Sequence, residues 1–567
     1  MAETILEMIR DRAVAFPDRP ALGVCGKTDH SFLTYRELWR LVDLIAAGLI
    51  NRRIQPGDRF ALLLDDRAIW GLFYLGILRA GATVVPLDNL QKPYEWASIL
   101  TESAAAGAFI SSAYSDDLRE ECGRIPAVQN WLAIEPNSSS MLADRVSGHI
   151  MGESAAQWPA ITGGMLAALV FTSGTTSVPK GVMLTHRNLA SDVEAIHRLK
   201  LFDPEDRFLS VLPIHHTFEC TAGLLNPLCL GSSVAYARSL RSRDILEDLK
   251  SSQATVILAV PLLFEKITNT IKRGITKQPP VRRRMFDLLY TFSRLSKQRL
   301  GVNLGKPLFR SLRRQGGLDH LRLVVSGGAA LPPEVSEFMD TIGVPLMQGY
   351  GMTEASPVLS VNPPVGYKYD SVGPPLPGVE MKIIAPDASG VGEIAARGEM
   401  ITPGYWHRPD QTKKLFRDGW LLTGDLGWAD DDGHFHITGR AKNVIVTPAG
   451  KNVYPEEIEM LIAESPLILE ALVFAQRGPG GTREKIACAV VPDLEYINVE
   501  HGELPRAEVE KLVIAETQKI CNRLADYKKP TEIIVREAEF EKTSTKKIKR
   551  FLFARTKEEL FPIDPEL

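Results

Sequence analysis

An apolar run, Leu169-Val170-Phe171, gives way to Thr172-Ser173-Gly174-Thr175-Thr176-Ser177-Val178-Pro179-Lys180-Gly181 and then to Val182-Met183-Leu184. Small side chains let several backbone N–H groups converge on phosphate oxygens, the hydroxyls donate further hydrogen bonds, and Lys180 supplies a point charge. Such a loop is suited to holding a polyanion. A Walker loop requires G-x-x-x-x-G-K-[ST], whereas here the sixth position after Gly174 is Lys180 and Gly181 follows it, so the spacing excludes that class. A Ser/Thr/Gly turn joining two strands accounts for one or two of these residues, not for the run.

The elements that position this loop are legible nearby. Thr4 and Glu7 form a capping-box pattern, Ile5, Ile9, Ala13 and Phe16 follow at helical spacing, and Pro17 stops the run, which predicts an opening amphipathic helix. Apolar β-rich runs at 60–64, 82–87 and 255–260 alternate with helical stretches at 35–49 and 69–80, predicting an α/β architecture with largely parallel sheets. After Gly373 short strands at 379–384, 392–396 and 433–438 are separated by Gly and Pro, a texture of small antiparallel β structure, and helical alternation resumes near Pro455. The short polar run Gly439-Arg440-Ala441-Lys442-Asn443 marks the main boundary, dividing the chain into 1–439 and 440–567. With 567 residues, several cores are required.

Composition narrows the class. A formal charge of −3 argues against a dedicated nucleic-acid binder. The six cysteines show no C-x-x-C pairing, so neither a zinc site nor a disulfide framework is indicated. Without a basic n-region or a stretch of about 18 uninterrupted apolar residues, a cytoplasmic protein is expected. The charge is uneven, however: 271–314 holds 13 Lys and Arg against the single acid Asp287.

The loop resembles the TSGTTGxPKG signature of the adenylate-forming superfamily of acyl-CoA synthetases, luciferases and nonribosomal adenylation domains, with Ser177 where that family usually has Gly. Further matches follow in family order: Ser326-Gly327-Gly328-Ala329-Ala330, Gln348-Gly349-Tyr350-Gly351-Met352-Thr353-Glu354, Trp420-Leu421-Leu422-Thr423-Gly424-Asp425, Gly439-Arg440 and Gly450-Lys451-Asn452-Val453-Tyr454-Pro455. Five motifs in one order make chance similarity very improbable. The resemblance implies an α/β fold: a large N-terminal domain of two α/β subdomains and a small β-barrel-like subdomain, then a smaller mobile α+β C-terminal domain. It also implies ATP, coenzyme A and a small carboxylic acid as substrates, with Mg²⁺.

Site roles follow from that resemblance. Thr172, Ser173, Gly174, Thr175, Thr176 and Lys180 would hold the β- and γ-phosphates, and Thr353 would touch the α-phosphate. Glu354 is the expected Mg²⁺ ligand, because a hard cation prefers carboxylate oxygen. Tyr350, with Gln348 and Gly349 before it, offers a face for adenine, and the glycine-rich run containing Gly328 and Ala329 lets backbone approach the base. Asp425 would accept from both ribose hydroxyls and Arg440 would donate to the same sugar. Near the C-terminus, the family's lysine that bridges substrate carboxylate and α-phosphate aligns with Lys547, where Glu541 and Lys546 replace the usual Pro and Gly; Lys549 is the alternative. A hinge at Lys442 would swing Lys547 away and bring the Gly450-Lys451 loop towards the thiol of coenzyme A.

The acid is read from Leu212-Pro213-Ile214-His215-His216-Thr217-Phe218-Glu219, which resembles the segment lining the acyl pocket, with His216 and Phe218 as pocket residues. Its form resembles that of long-chain fatty acyl synthetases, which favours a medium- or long-chain fatty acid over an aryl or alicyclic one. Two other readings remain open, an acyl-AMP ligase loading a carrier protein and a non-catalytic adenylate-binding protein. Within 271–314, Met285, Leu288, Leu289, Phe292 and Leu295 share a helical face while Arg282, Arg283, Arg284, Arg294 and Lys297 supply the polar side. The pattern fits peripheral docking on the anionic inner membrane surface, and equally an ordinary packed helix with a solvated basic face.

Overall fold

Thr4 opens the first helix, Ile5–Ala15, with the reciprocal capping bonds that its sequence predicts, and Ile5, Leu6, Ile9 and Ala13 form its buried stripe. Thr34 and Glu37 cap the helix Tyr35–Asn51 in the same way. These belong to a computed structural model that describes residues 3–553 other than 27–29, 123–129, 135–141, 147–156, 173–178, 364–365, 448–450, 478–483 and 544–546.

The chain forms two compact units, one of residues 1–380 and 396–421, the other of 381–395 and 422–567. The polar run 439–443 lies inside the second unit, because the hairpin of Trp420–Ala429 and Phe435–Arg440 keeps Arg440 in register with Asp425.

The first unit is built on two largely parallel sheets, as alternating strands and helices require. One has eight strands, with Leu346–Gly351, Leu323–Ser326, Val256–Ala259, Arg207–Ser210, Ser233–Tyr236 and Pro20–Val24 as successive neighbours. The other has six, running from Asn130–Ile134 through Gly107–Ser111, Arg59–Leu63 and Thr83–Pro86 to Leu166–Thr172 and Lys180–Thr185. Interior strands such as Gly107–Ser111, Val256–Ala259 and Leu323–Ser326 are buried along their whole length, and in such sheets ligands gather beyond the carboxyl ends of the strands.

One buried ion pair ties three strands of the larger sheet together. Arg322, just before Leu323–Ser326, donates from Nε to Asp206 Oδ1 at 2.6 Å, and Asp206 also accepts from Thr255 Oγ1 at 2.7 Å. Asp206 is buried, so removing the guanidinium leaves a carboxylate without its counter-charge. Arg322→Met is expected to lower unfolding free energy by about 2 kcal/mol, less than for a fully buried pair because the arginine is partly solvated. A reduced urea midpoint at unchanged slope is the measurement.

In the second unit, Trp420–Ala429 is a member of a sheet that also contains Glu380–Ile384 and Gly392–Arg397. Beyond it, Ile468–Arg477, Glu484–Pro492 and Glu532–Val535 form a three-stranded sheet. The helices Pro455–Ile462 and Arg506–Cys521 contribute Ile458, Ile462, Val509 and Val513 to the core over that sheet. Among the described residues no helix is long and apolar enough to cross a membrane.

Candidate active site

The strands Leu166–Thr172 and Lys180–Thr185 are antiparallel, with Thr172 directly opposite Lys180. The phosphate-type loop is therefore the connection of a hairpin, and its two flanking site residues are held side by side. Ser173, Gly174, Thr175 and Thr176 lie outside the described residues. The second strand runs straight into the helix His186–Arg198, whose cap is Thr185 paired with Asn188.

Asn188 does a second job. Its side-chain amide donates to Glu399 O at 2.6 Å and to Ile401 O at 3.0 Å, drawing a distant segment against the hairpin. That segment continues with Thr402, whose backbone N–H donates to Glu354 O at 2.8 Å, and with Trp406, whose N–H donates to Gly181 O at 2.8 Å. Between them stands Tyr405. Its hydroxyl donates to Glu354 Oε1 at 2.7 Å, and Lys180 Nζ lies 5.2 Å from the centre of its ring. Burial, then the Glu354 charge and their hydrogen bond, push the Tyr405 hydroxyl's pKa up, so it stays a donor. Lys180 and Glu354, 174 positions apart by their numbers, thus meet across one tyrosine.

Sequence reasoning passed over Tyr405. The only local signal is the run Thr402-Pro403-Gly404-Tyr405-Trp406, which by itself reads as a turn followed by core aromatics.

The remaining motifs of the first unit sit at the carboxyl ends of two adjacent parallel strands. Ser326 and Gln348 are register partners in Leu323–Ser326 and Leu346–Gly351, so the turn after Ser326 begins beside Gln348 while the neighbouring strand runs on to Gly351. Gly328 has φ +83°, and a Cβ placed there would meet nothing within 4 Å, which leaves open space beside the Gly328 and Ala329 backbone. Tyr350 is only 8% exposed, so most of its ring is covered; Gly349 precedes it in the same strand. Thr353 begins a short helical turn with Glu354, and its hydroxyl is bonded to Thr217 Oγ1 at 3.3 Å. Glu354 itself is buried, with one carboxylate oxygen on Tyr405. Among the described residues no group of three or more Asp, Glu, His or Cys could enclose a metal ion. A lone buried carboxylate suits Mg²⁺, which is usually held by one or two carboxylates together with substrate phosphates.

Thr217 connects this turn to the 212–219 segment. The Phe218 ring packs on Gly327, where an added Cβ would come within 2.9 Å of Phe218 Cζ. His216 Nδ1 accepts from the Phe218 backbone N–H at 3.3 Å, a bond that fixes the local turn. The segment then enters a buried π-helical turn, Glu219–Leu225. Glu219 is anchored by Ser210 and faces Arg67; burial pushes its carboxyl up to about 7, against the lowering effect of Arg67. Behind His215 and Thr217 the space is nearly closed, about 10 Å³, walled by Trp70, Tyr74, Val170 and Cys220 with almost no polar lining.

In the second unit, Asp425 and Arg440 are register partners, and Arg440 Nε is 2.7 Å from Asp425 Oδ1. Asp425 is buried, while the arginine remains partly exposed. Lys442 follows in the turn Ala441–Asn443; burial and the charge of Arg440 lower its pKa, opposed by Asp425 and Glu456. Lys451 stands on a small hairpin, its N–H donating to Thr447 Oγ1 at 3.1 Å, and Gly450 lies outside the described residues.

The two candidate C-terminal lysines differ. Lys547 is tied to Thr543, donating from its backbone to Thr543 Oγ1 at 3.2 Å and accepting from Thr543 N at 2.8 Å. Although its side chain is accessible to solvent, desolvation and then the Arg440 charge lower its ammonium pKa, with Asp425 opposing and Lys442 adding to the fall. Lys549 Nζ instead lies 3.9 Å from Glu541 Oε2. In these contacts it is Lys547 that feels the Asp425 and Arg440 pair.

The family model for AMP-binding enzymes matches residues 9–406. The long-chain-fatty-acid–CoA ligase FadD15 of Mycobacterium bovis is 30% identical over 465 residues, covering 79% of this chain and 76% of that protein. The oxalate–CoA ligase of Arabidopsis thaliana is 27% identical over 567 residues, covering 98% of each. ATP-bound MatB from Rhodopseudomonas palustris is similar in structure, with a TM-score of 0.76 at 25% identity over 98% of both chains. On the strength of that family match across most of its length, the chain belongs to the AMP-binding enzymes.

Proposed function

We propose that this ATP-dependent adenylate-forming ligase activates an apolar acid with a compact acyl group, aryl or short alkyl, and passes it to coenzyme A. Its overall reaction is that of an AMP-forming acyl-CoA ligase with MgATP and coenzyme A as co-substrates. The substrate carboxylate attacks the α-phosphorus, pyrophosphate leaves, and the thiol of coenzyme A then displaces AMP from the acyl carbon.

The observation that carries the choice of acid is the cavity behind His215 and Thr217. Its walls are largely apolar and include Trp70 and Tyr74. The enclosed space of about 10 Å³ is room for roughly one water molecule, so an acyl group enters only as these side chains move, and a compact group asks less movement than an extended chain. A second reading, a medium- or long-chain fatty acid, is favoured by the similarity to FadD15.

In this reading Lys180 and Thr172 hold the outer phosphates, Thr353 contacts the α-phosphate, and Gly328, Ala329 and Tyr350 border the adenine. Bound Mg²⁺ neutralises phosphate charge, and Glu354 is its protein ligand. Asp425 and Arg440 take the ribose hydroxyls, and Lys547 neutralises charge at the reacting carboxylate and α-phosphate. Lys442 is the hinge about which the C-terminal segment turns before thiol attack, bringing Gly450 and Lys451 to the coenzyme. His216 and Phe218 shape the entrance to the acyl pocket.

A panel of acids differing in length and ring content, read by AMP release with coenzyme A, tests the assignment. Compact acids should exceed a sixteen-carbon acid in kcat/KM by about 10-fold or more, the effect of a few misfitted methylenes. Preference for the long acid would establish the second reading, and AMP release without acyl-CoA would exclude coenzyme A as acceptor.

A further inference from the structure

The helix Pro280–Leu300 is held firmly on one side. Phe286 packs on Phe309 with ring centres 5.3 Å apart, Tyr290 stacks on Phe338 at 5.8 Å, and Ser293 Oγ donates to Thr341 O at 2.9 Å. Lys297 is paired with Asp340, so it belongs to this packed side and not to the solvated one that the sequence pattern assigns to it. Leu289 is half-buried as well. The rotation of the helix is therefore fixed.

Its other side is bare. Val281, Met285, Leu288, Phe292 and Leu295 recur at spacings of four and three, one continuous stripe, with exposures from 77% at Val281 to 37% at Leu295. At the end of the helix Leu300 and Val302 are exposed as well, at 73% and 50%. Isolated apolar side chains on a surface are ordinary, but a contiguous stripe of this kind marks a contact surface.

The charges around the stripe select the occupant. At 100° per residue, Arg282 and Arg284 border it on opposite sides and Arg299 closes its last turn, all three exposed. The segment 271–314 carries 13 basic residues and one acid. A second copy of the same helix would set arginine against arginine, and a neutral groove would leave the guanidinium groups uncompensated. A surface that is apolar at depth and anionic above satisfies both, since guanidinium matches phosphate geometry and basic side chains gain from the negative potential of anionic lipid.

We propose that the exposed face of Pro280–Leu300 docks the enzyme in the plane of an anionic phospholipid surface, with Val281, Met285, Leu288 and Phe292 inserted and the bordering arginines on lipid phosphates. Because the helix is pinned by its opposite face, docking needs no rearrangement of the unit that carries it.

Co-sedimentation of the full-length protein with phosphatidylglycerol–phosphatidylcholine vesicles, against pure phosphatidylcholine, tests this. Binding is expected only to the anionic vesicles at about 0.1 M salt and should be largely lost at about 1 M, where the screening length falls to roughly 3 Å. Arg282→Glu with Arg284→Glu should weaken partitioning by about 20-fold or more, and Leu288→Ser with Phe292→Ser by at least about 10-fold. All four positions are exposed and outside the nucleotide site, so thermal midpoint and pyrophosphate exchange should stay at wild-type values. Absence of wild-type sedimentation, or equal binding by the variants, overturns the proposal. So does a wild-type dimer by light scattering that Leu288→Ser with Phe292→Ser converts to monomer, which would make the stripe a self-interface.

Discussion

Lys547→Ala is expected to slow ATP–pyrophosphate exchange by about 10²-fold or more while leaving thioester formation from supplied acyl-AMP near the wild-type rate. The lysine shares its surroundings with Asp425, Arg440 and Lys442, the first two being the residues assigned to the ribose. In the role proposed for it, this cation stabilises charge that develops only as the carboxylate attacks phosphorus, so its loss is expected to fall on the first half-reaction. The charged form is the active one. Desolvation and Arg440 hold its pKa below the ordinary lysine value of 10.5, so exchange should decline as pH rises through a point lower than 10.5. Lys547→Arg keeps its charge there, and its residual activity should lack that decline. Lys549→Ala is the control, because its ammonium is near Glu541. A larger loss from Lys549→Ala than from Lys547→Ala would transfer the role, and equal loss of both half-reactions would refute it.

Glu354→Gln should reduce pyrophosphate exchange by about 10²- to 10³-fold at low Mg²⁺ and less at saturating Mg²⁺. The substitution keeps the shape and still offers an oxygen to the Tyr405 hydroxyl, which now donates to Glu354 at 2.7 Å. What it removes is the negative charge. Tyr405→Phe removes the opposite half of the contact, and it should cost only about 5-fold, the usual scale of one hydrogen bond. Its effect should fall on kcat/KM for MgATP with the melting temperature little changed. Should Glu354→Gln leave the Mg²⁺ dependence of exchange untouched, the carboxylate is not the metal ligand.

Much of the fold is written locally. The capping box at Thr4, the apolar runs of the parallel strands and the turn-rich β region after Gly373 depend on neighbours a few residues away, and the structure places each where its pattern predicts. The phosphate hairpin is local too, since its strands flank its loop. Tyr405 was not legible for the opposite reason: its significance comes from Glu354 and from Asn188, which are distant in sequence. The Asp425–Arg440 pair lies between these cases. Both residues stand in recognisable motifs, yet their direct opposition depends on a hairpin whose register shifts between Leu426 and Gly427. For Pro280–Leu300 periodicity separates the two faces but cannot say which is covered. That is decided by Phe309, Phe338 and Asp340, and it moves Leu289 and Lys297 to the packed side.

The strap from Glu399 to Trp406 has a consequence for the order in which the protein comes into being. Until this stretch emerges from the ribosome, the Asn188 amide lacks its two carbonyl partners, and Glu354 lacks both its backbone contact with Thr402 and the Tyr405 hydroxyl. The two parallel sheets need not wait, since every strand in them precedes residue 362. A nascent chain can therefore build both sheets early, while the contacts around Glu354 close only once nearly three quarters of the polypeptide has been made.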